Sequence, residues 1–286
     1  MPLSVMDLYK DVLPKTNCRD CGFPTCLAFA GKVVTEKLPL ENCPHIDPEL
    51  LAKSQAILEE QWAQGKWLKK DPAQDALNWA KERASSMKLQ DVASRIGGVL
   101  KRWGNKSYVE LPYFNTRILI AEDGIRRQDG TPLNRWEQVF IYNHMAQGGR
   151  RDPTGRWKAL EEIPNTVSKI KSMKEHVEVP LVERFRDKTG ELIQAAKRLG
   201  AQALTETANF RDLPQGFSSD LAFLFRPLPK VPVMLLYWRG DRSEGFGDRV
   251  KLLFDETIVE HLDIESIIFL SERLMELLTG KEKAPE

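Results

Sequence analysis

No cysteine follows Cys43 in this 286-residue chain. All four cysteines, Cys18, Cys21, Cys26 and Cys43, lie in one short N-terminal stretch, so the rest of the chain cannot rely on disulfides. Charge of one sign is missing too. Lys and Arg number 42 against 41 Asp and Glu, and this balance gives no electrostatic reason to expect nucleic acid or a membrane surface as partner. Long hydrophobic runs are also lacking. A spanning helix needs roughly 20 apolar residues, whereas a run such as Val231 to Trp238 is strand-sized and contains Pro232. The start, Met1 to Asp7, shows neither the basic region nor the apolar stretch of a secretory signal. No Gly-x-Gly-x-x-Gly, Walker loop or Gly-x-Ser-x-Gly occurs, which removes the commonest nucleotide-binding and serine-hydrolase signatures. These absences predict a cytoplasmic protein without membrane insertion or nucleic-acid binding. In that reducing compartment, gathered thiols serve as metal ligands or redox groups rather than structural disulfides.

What is present suffices for a sizeable core. Hydrophobic residues make up 42% of the chain, with 12 Phe, 7 Trp and 5 Tyr. The length suggests a small unit and a larger one. The sequence predicts a cysteine-bearing N-terminal domain over 1–46, a helical connector over 47–105, a larger domain over 106–280 and a disordered tail over 281–286.

The cysteines are spaced Cys-x2-Cys-x4-Cys-x16-Cys, with Pro44 directly after the last. Residues 4–13 suit a short amphipathic helix stopped by Pro14. The loop from Asn17 to Thr25 carries Cys18 and Cys21, with Gly22 to permit unusual backbone angles and Pro24 to stiffen the turn. Such a loop can aim several amide N–H groups at one centre. A helix then begins at Thr25 and places Cys26 in its first turn, where the positive end of the helix dipole favours thiolate. The connection from Glu36 to Asn42 returns Cys43. Four thiolates from one loop, one helix start and one distant position fit a [4Fe–4S] cluster, and the Cys-Pro ending resembles bacterial ferredoxin motifs. A four-thiolate zinc site competes, although zinc ribbons usually offer two close cysteine pairs and here the second pair is 16 residues apart. Two disulfides, or a redox dithiol with spare thiols, are the remaining readings.

The words Leu13-Pro14-x-Thr16-Asn17-Cys18-x-x-Cys21-Gly22-x-Pro24-Thr25-Cys26-x-Ala28-Phe29-Ala30, then Cys43-Pro44, resemble a known family. They are similar to the small iron–sulfur domain of the corrinoid subunit of carbon monoxide dehydrogenase/acetyl-CoA synthase and to the cluster domain of RnfB-type proteins. The resemblance implies that Cys18, Cys21, Cys26 and Cys43 bind [4Fe–4S], one to one. It covers about 40 residues and does not extend to the long corrinoid-binding segments, so methyl transfer does not carry over. Arg19 stands where that family has glycine.

Downstream, helical spacing runs from Asp47-Pro48 through Trp62 and ends between Gly65 and Lys70; a second helix starts at Asp71-Pro72. A third candidate, Leu89 to Trp103, is interrupted by Gly97-Gly98. Strand signals follow at 107–111, 116–120, 157–160, 221–225, 231–238 and 250–254. Helical text occupies 134–146, 177–185, 188–199, 258–262 and 264–278. This order, with hairpins in place of regular βαβ units, predicts an α+β protein with a mainly antiparallel sheet in the larger domain and a helical N-terminal domain. Pro229-x-Val231-Pro232, Trp238-x-Gly240-Asp241 and Leu253-Phe254-Asp255 resemble an uncharacterised domain family found beside such cluster motifs in anaerobic bacteria and archaea. That resemblance implies architecture and no reaction.

Outside the cysteines, His261 stands among Asp255, Glu256, Glu260, Asp263 and Glu265, a pattern that charged helix ends also produce. His144 and His176 read as structural or surface residues, and His45 could tune the cluster. Gly148 to Arg156 is a basic, glycine-rich loop able to take a phosphate or an acidic partner, though an exposed loop is the simpler reading. The functional expectation is one-electron transfer to a redox protein, with a corrinoid protein as one candidate partner. A cluster-braced structural or sensing module is the alternative, and so is an enzyme with its site in the C-terminal domain.

Overall fold

A computed structural model describes residues 2–65, 72–204, 218–241 and 243–281. The chain divides into two compact units, residues 1–72 and 73–286. The division at residue 72 lies inside the stretch read above as connector. Of the expected tail over 281–286, residues 282–286 lie outside the described residues, as do residues 66–71.

The first unit is helical. Helix α1 (Val5–Asp7) opens with a capping box between Ser4 and Asp7 and continues as a wide turn over Leu8–Val12. Helix α2 (Cys26–Glu36) is capped by Thr25, whose hydroxyl accepts from the Ala28 amide, and ends at left-handed Lys37. A tight turn, Leu40–Asn42, leads into Cys43. Helix α3 (Pro48–Ala63) starts on Asp47, with Pro48 in the first turn where its missing N–H costs nothing. The apolar faces meet in one cluster of Leu8, Val12, Phe29, Val33, Leu40 and Leu58, which also contains Cys26 and Cys43. Gln61 ties the start of the unit to α3 by donating to the Leu3 carbonyl and accepting from the Leu3 amide.

The second unit is α+β, and every strand pair in it is antiparallel. It begins with α4 (Pro72–Ser85) and α5 (Leu89–Ile96). The helix expected to run on to Trp103 stops at Ile96, because Gly97 takes a left-handed φ of 78° and closes the last turn. The chain then forms β1 (Val99–Trp103), which pairs with β2 (Lys106–Tyr113), followed by β3 (Thr116–Ala121) and β4 (Gly124–Arg127) in a four-stranded meander. Gly98 is required at this corner: a Cβ there would lie 2.5 Å from Val109 Cγ1.

Helix α6 (Arg135–Gln147) follows, then β5 (Trp157–Ala159), α7 (Val167–Met173), α8 (Val179–Phe185) and α9 (Thr189–Arg198). Strands β6 (Gln202–Ala203), β7 (Leu221–Leu228), β8 (Val231–Trp238) and β9 (Arg249–Asp255) complete a second sheet of order β5-β9-β8-β7-β6. Two helices end the unit, α10 (Ile258–His261) and α11 (Ile264–Thr279). Strand β8 is central and apolar on both faces, which explains its unbroken hydrophobic run. Helix α11 is capped by Asp263 and packs against α6, α7, α8 and α9, burying Ile267, Leu270, Leu274 and Leu278. Among the described residues no helix is long and apolar enough to cross a membrane.

Candidate metal centre

Two side chains shape the cysteine loop. Asn17 adopts a left-handed φ of 52°, a conformation its short amide side chain tolerates. Its Oδ1 accepts from the Cys26 amide at 2.8 Å. Asn17 thus joins Thr25 in satisfying the open N–H groups of the first turn of α2 and fixes the loop against the helix that carries the third thiol. Arg19, in the place where glycine was expected, has a φ of 71°, so the backbone keeps the glycine-like angle although the side chain has changed. Gly22 follows with a φ of 83°, and its amide closes a turn on the Arg19 carbonyl. The amides of Cys18, Arg19, Asp20 and Cys21 have no acceptor among the described residues. They are free to face a ligand.

All four thiols are free and belong to the same small unit. Cys26 and Cys43 are buried at 5% exposure each, Cys21 is half-buried and Cys18 is exposed. Burial pushes the Cys43 thiol up from its ordinary value, the three other cysteines push it the same way, and the His45 amide opposes them. That coupling reports that the four sulfurs are neighbours. A single zinc ion holds its thiolates about 3.8 Å apart, given bonds of about 2.3 Å in a tetrahedron. Among the described residues no three thiols close within 4.8 Å of one another; the group that does so is Cys18, Asp20 and His45.

Of the Cys18–Asp20–His45 group the sequence reading named Cys18 and His45 but missed Asp20 and the grouping itself. His45 Nε2 and Asp20 Oδ2 are 2.6 Å apart on the surface. The Asp20 carboxyl is held below its usual range by His45 first and then by the Cys18 thiol. The only signal in the sequence was that each partner stands two residues after a cysteine.

The histidines of the second unit are arranged differently from the cluster of acids imagined around His261. His144 and His261 are both buried, with ring centroids 5.8 Å apart. His144 Nδ1 donates to the His261 carbonyl and His261 Nε2 to the Arg151 carbonyl, each at 3.0 Å. The carboxylates are engaged elsewhere: Asp255 accepts from Gly155 and Thr257, Glu256 and Glu260 pair with Arg151, Asp263 caps α11 and Glu265 meets Lys169. His176 is exposed and bonded to Glu272. No group of three metal-ligating side chains forms at His261 among the described residues.

Burial pulls His144 down from 6.5 to about 4 and lowers His261 as well. The unfolded chain therefore binds protons that the folded protein refuses between these two values. Stability supplied by the neutral His144 is complete above pH 6.5 and is lost as pH falls towards 4, by about 3 kcal/mol. Urea midpoints at pH 7.5 and pH 4 should show that loss, and His144→Gln should flatten it; an unchanged slope in the variant refutes the assignment.

Comparison with known proteins places both units. A family model described as "Domain of unknown function (DUF3786)" matches residues 88–277. The chain belongs to this family. A second family model, described as "Putative Fe-S cluster", matches residues 13–45, the span that carries all four cysteines. Among curated proteins, the acetyl-CoA decarbonylase/synthase complex subunit gamma of Methanocaldococcus jannaschii is 41% identical over 58 residues, covering 20% of this chain and 12% of that protein. The corrinoid/iron-sulfur protein large subunit of Moorella thermoacetica is 50% identical over 46 residues, covering 16% and 10%. Subunit gamma 2 of the Methanosarcina mazei complex aligns over 181 residues at 24% identity, covering 63% and 34%. The chain thus spans about a tenth of the length of the first two relatives and a third of the last. No solved structure matches it.

Proposed function

We propose that Cys18, Cys21, Cys26 and Cys43 hold one [4Fe–4S] cluster and that the protein passes single electrons to a redox protein partner in anaerobic metabolism. A corrinoid protein is the favoured acceptor. The observation that carries the reading is the confinement of all four thiols to one small unit, electrostatically coupled at Cys43 and covered by the iron–sulfur family match. When bound, a cluster closed by four thiolates supplies a one-electron couple and leaves no iron open to substrate.

The chain's own residues set the terms of that role. Cys26, at the first position of α2, stands where the helix dipole favours an anionic sulfur. Asn17 and Thr25 hold that turn, and the free loop amides can donate to cluster sulfurs, which raises and tunes a reduction potential. Cys26 and Cys43 face the apolar cluster, while Cys18 faces outward beside Asp20 and His45. A partner would therefore approach at the Cys18 edge. The corrinoid preference rests on one relative, the corrinoid/iron-sulfur protein large subunit of Moorella thermoacetica, which is 50% identical over 46 residues.

Anaerobically purified protein should contain four iron and four sulfide per chain. It should also give a paramagnetic resonance signal on reduction with dithionite. Stoichiometric zinc without iron overturns the cluster. A cluster that resists strong low-potential reductant leaves the cluster and overturns electron transfer.

A further inference from the structure

We propose that the second unit binds a phosphoryl-bearing small molecule in a groove of about 800 Å³ formed beside α5. The groove is lined by Lys88, Arg95, Arg150 and Lys230, brought together from three separate parts of the sequence. No carboxylate pairs with Lys88, Arg95 or Arg150 among the described residues. Lys230 is 13% exposed and meets Asp152, whose own side chain is 84% exposed. Among the described lining residues the one carboxylate is Asp91, which is exposed, and Asp152 meets Lys230. In the basic loop itself Arg151 and Arg156 are held by Glu256 and Glu260. Arg150 is the member of that loop left to face the groove.

The site is built rather than incidental. Arg95 is anchored by donating to the Met145 carbonyl at 2.7 Å, which fixes its guanidinium at the groove. Gly97 lets the end of α5 meet the β7–β8 turn: a Cβ there would stand 2.6 Å from Pro229 Cβ, beside Lys230. Gly149 lets the Arg150 loop lie on α10, where a Cβ would stand 2.9 Å from Glu260 Cβ. Close backbone packing thus fixes the two segments that deliver Lys230 and Arg150.

Two guanidinium forks and two ammonium groups suit the several oxygens of a phosphoryl group, which can accept bidentate bonds. The groove has no aromatic side chain on which a base could stack. Recognition would rest on the phosphoryl end, and the volume leaves room for an organic remainder.

Isothermal titration of the full chain with inorganic pyrophosphate, with sodium chloride matching ionic strength, tests this. One saturable site per chain is expected. The double variant Lys88→Gln/Arg150→Gln should weaken it at least about tenfold, equal to about 1.4 kcal/mol, with an unaltered melting temperature in the absence of ligand. Both residues are exposed, so the variant should fold. Absence of saturable binding, or equal binding by the variant, overturns the proposal. Tighter binding of a polyglutamate peptide than of pyrophosphate also overturns it, in favour of an acidic protein partner.

Discussion

Glu137→Ala is expected to destabilise the second unit by about 3–5 kcal/mol, the cost of leaving buried charge uncompensated. Glu137 is 1% exposed and fully bonded. Arg127 donates to both of its oxygens at 2.9 and 3.0 Å, Arg273 Nε and the Tyr113 hydroxyl donate to Oε1 at 2.9 and 2.8 Å, and the Asn134 amide donates to Oε2 at 2.9 Å. Burial, and then the Glu137 charge, hold the Tyr113 phenol well above its ordinary range, so it stays a donor. Removing the carboxylate takes an acceptor from Arg127, Arg273 and the Tyr113 phenol in a region with little water, although Arg273 keeps Glu276. It also breaks the capping box that starts α6, since the Glu137 side chain returns to the Asn134 amide. For a domain of this size the loss corresponds to a fall of roughly 10 °C in melting temperature. Differential scanning calorimetry reads it directly. A shift of only a degree or two would show that β4, α6 and α11 are held by their apolar faces alone.

That network also shows where the sequence stopped being readable. Asn134-x-x-Glu137 is a visible helix start, and the helix was placed from residue 134. Nothing local shows that the same carboxylate meets Arg273, 136 residues away, because the link exists only once α11 lies against α6. The buried His144–His261 pair is hidden for the same reason, at a separation of 117 residues. Local signals did well wherever a cap or a breaker decides the outcome. Asp47-Pro48 opens α3, Thr25 opens α2, and left-handed Gly280 closes α11. They failed where tertiary pairing decides. Val99 to Trp103 carries no clear alternation and could continue α5 as plausibly as leave it; pairing with β2 and the close approach of Gly98 to Val109 settle it as a strand. Helix α7 was missed because it is short, has no capping side chain and begins with an exposed Val167. Among the described residues β2, β3, β5, β7, β8 and β9 were legible individually, but β1, β4 and β6 were not, nor was the partition into two sheets. Both sheets feed one apolar core, and a hydrophobic pattern records burial without recording the neighbour.

Cys43→Ser is expected to abolish stoichiometric iron binding and Cys18→Ser to reduce it only in part. The two positions differ in what can replace the lost sulfur. Cys43 is buried against an apolar cluster, and a serine hydroxyl there is a poor iron ligand. It would also be a polar group with few partners, so the apo unit should lose about 1–3 kcal/mol as well. Cys18 is exposed, and Asp20 and His45 offer an oxygen and a nitrogen within 4.8 Å of its sulfur and of each other. Either could approach the iron that Cys18 would otherwise hold, giving a cluster with one non-sulfur ligand. The double change Cys18→Ser with Asp20→Asn should then fall towards the Cys43→Ser level. Iron and sulfide per chain after anaerobic reconstitution, with the resonance spectrum of each variant, separate these cases. Full iron in Cys43→Ser would remove that residue from the ligand set. Equal, complete loss in Cys18→Ser would show that the surface pair of Asp20 and His45 serves the loop's shape and not the metal.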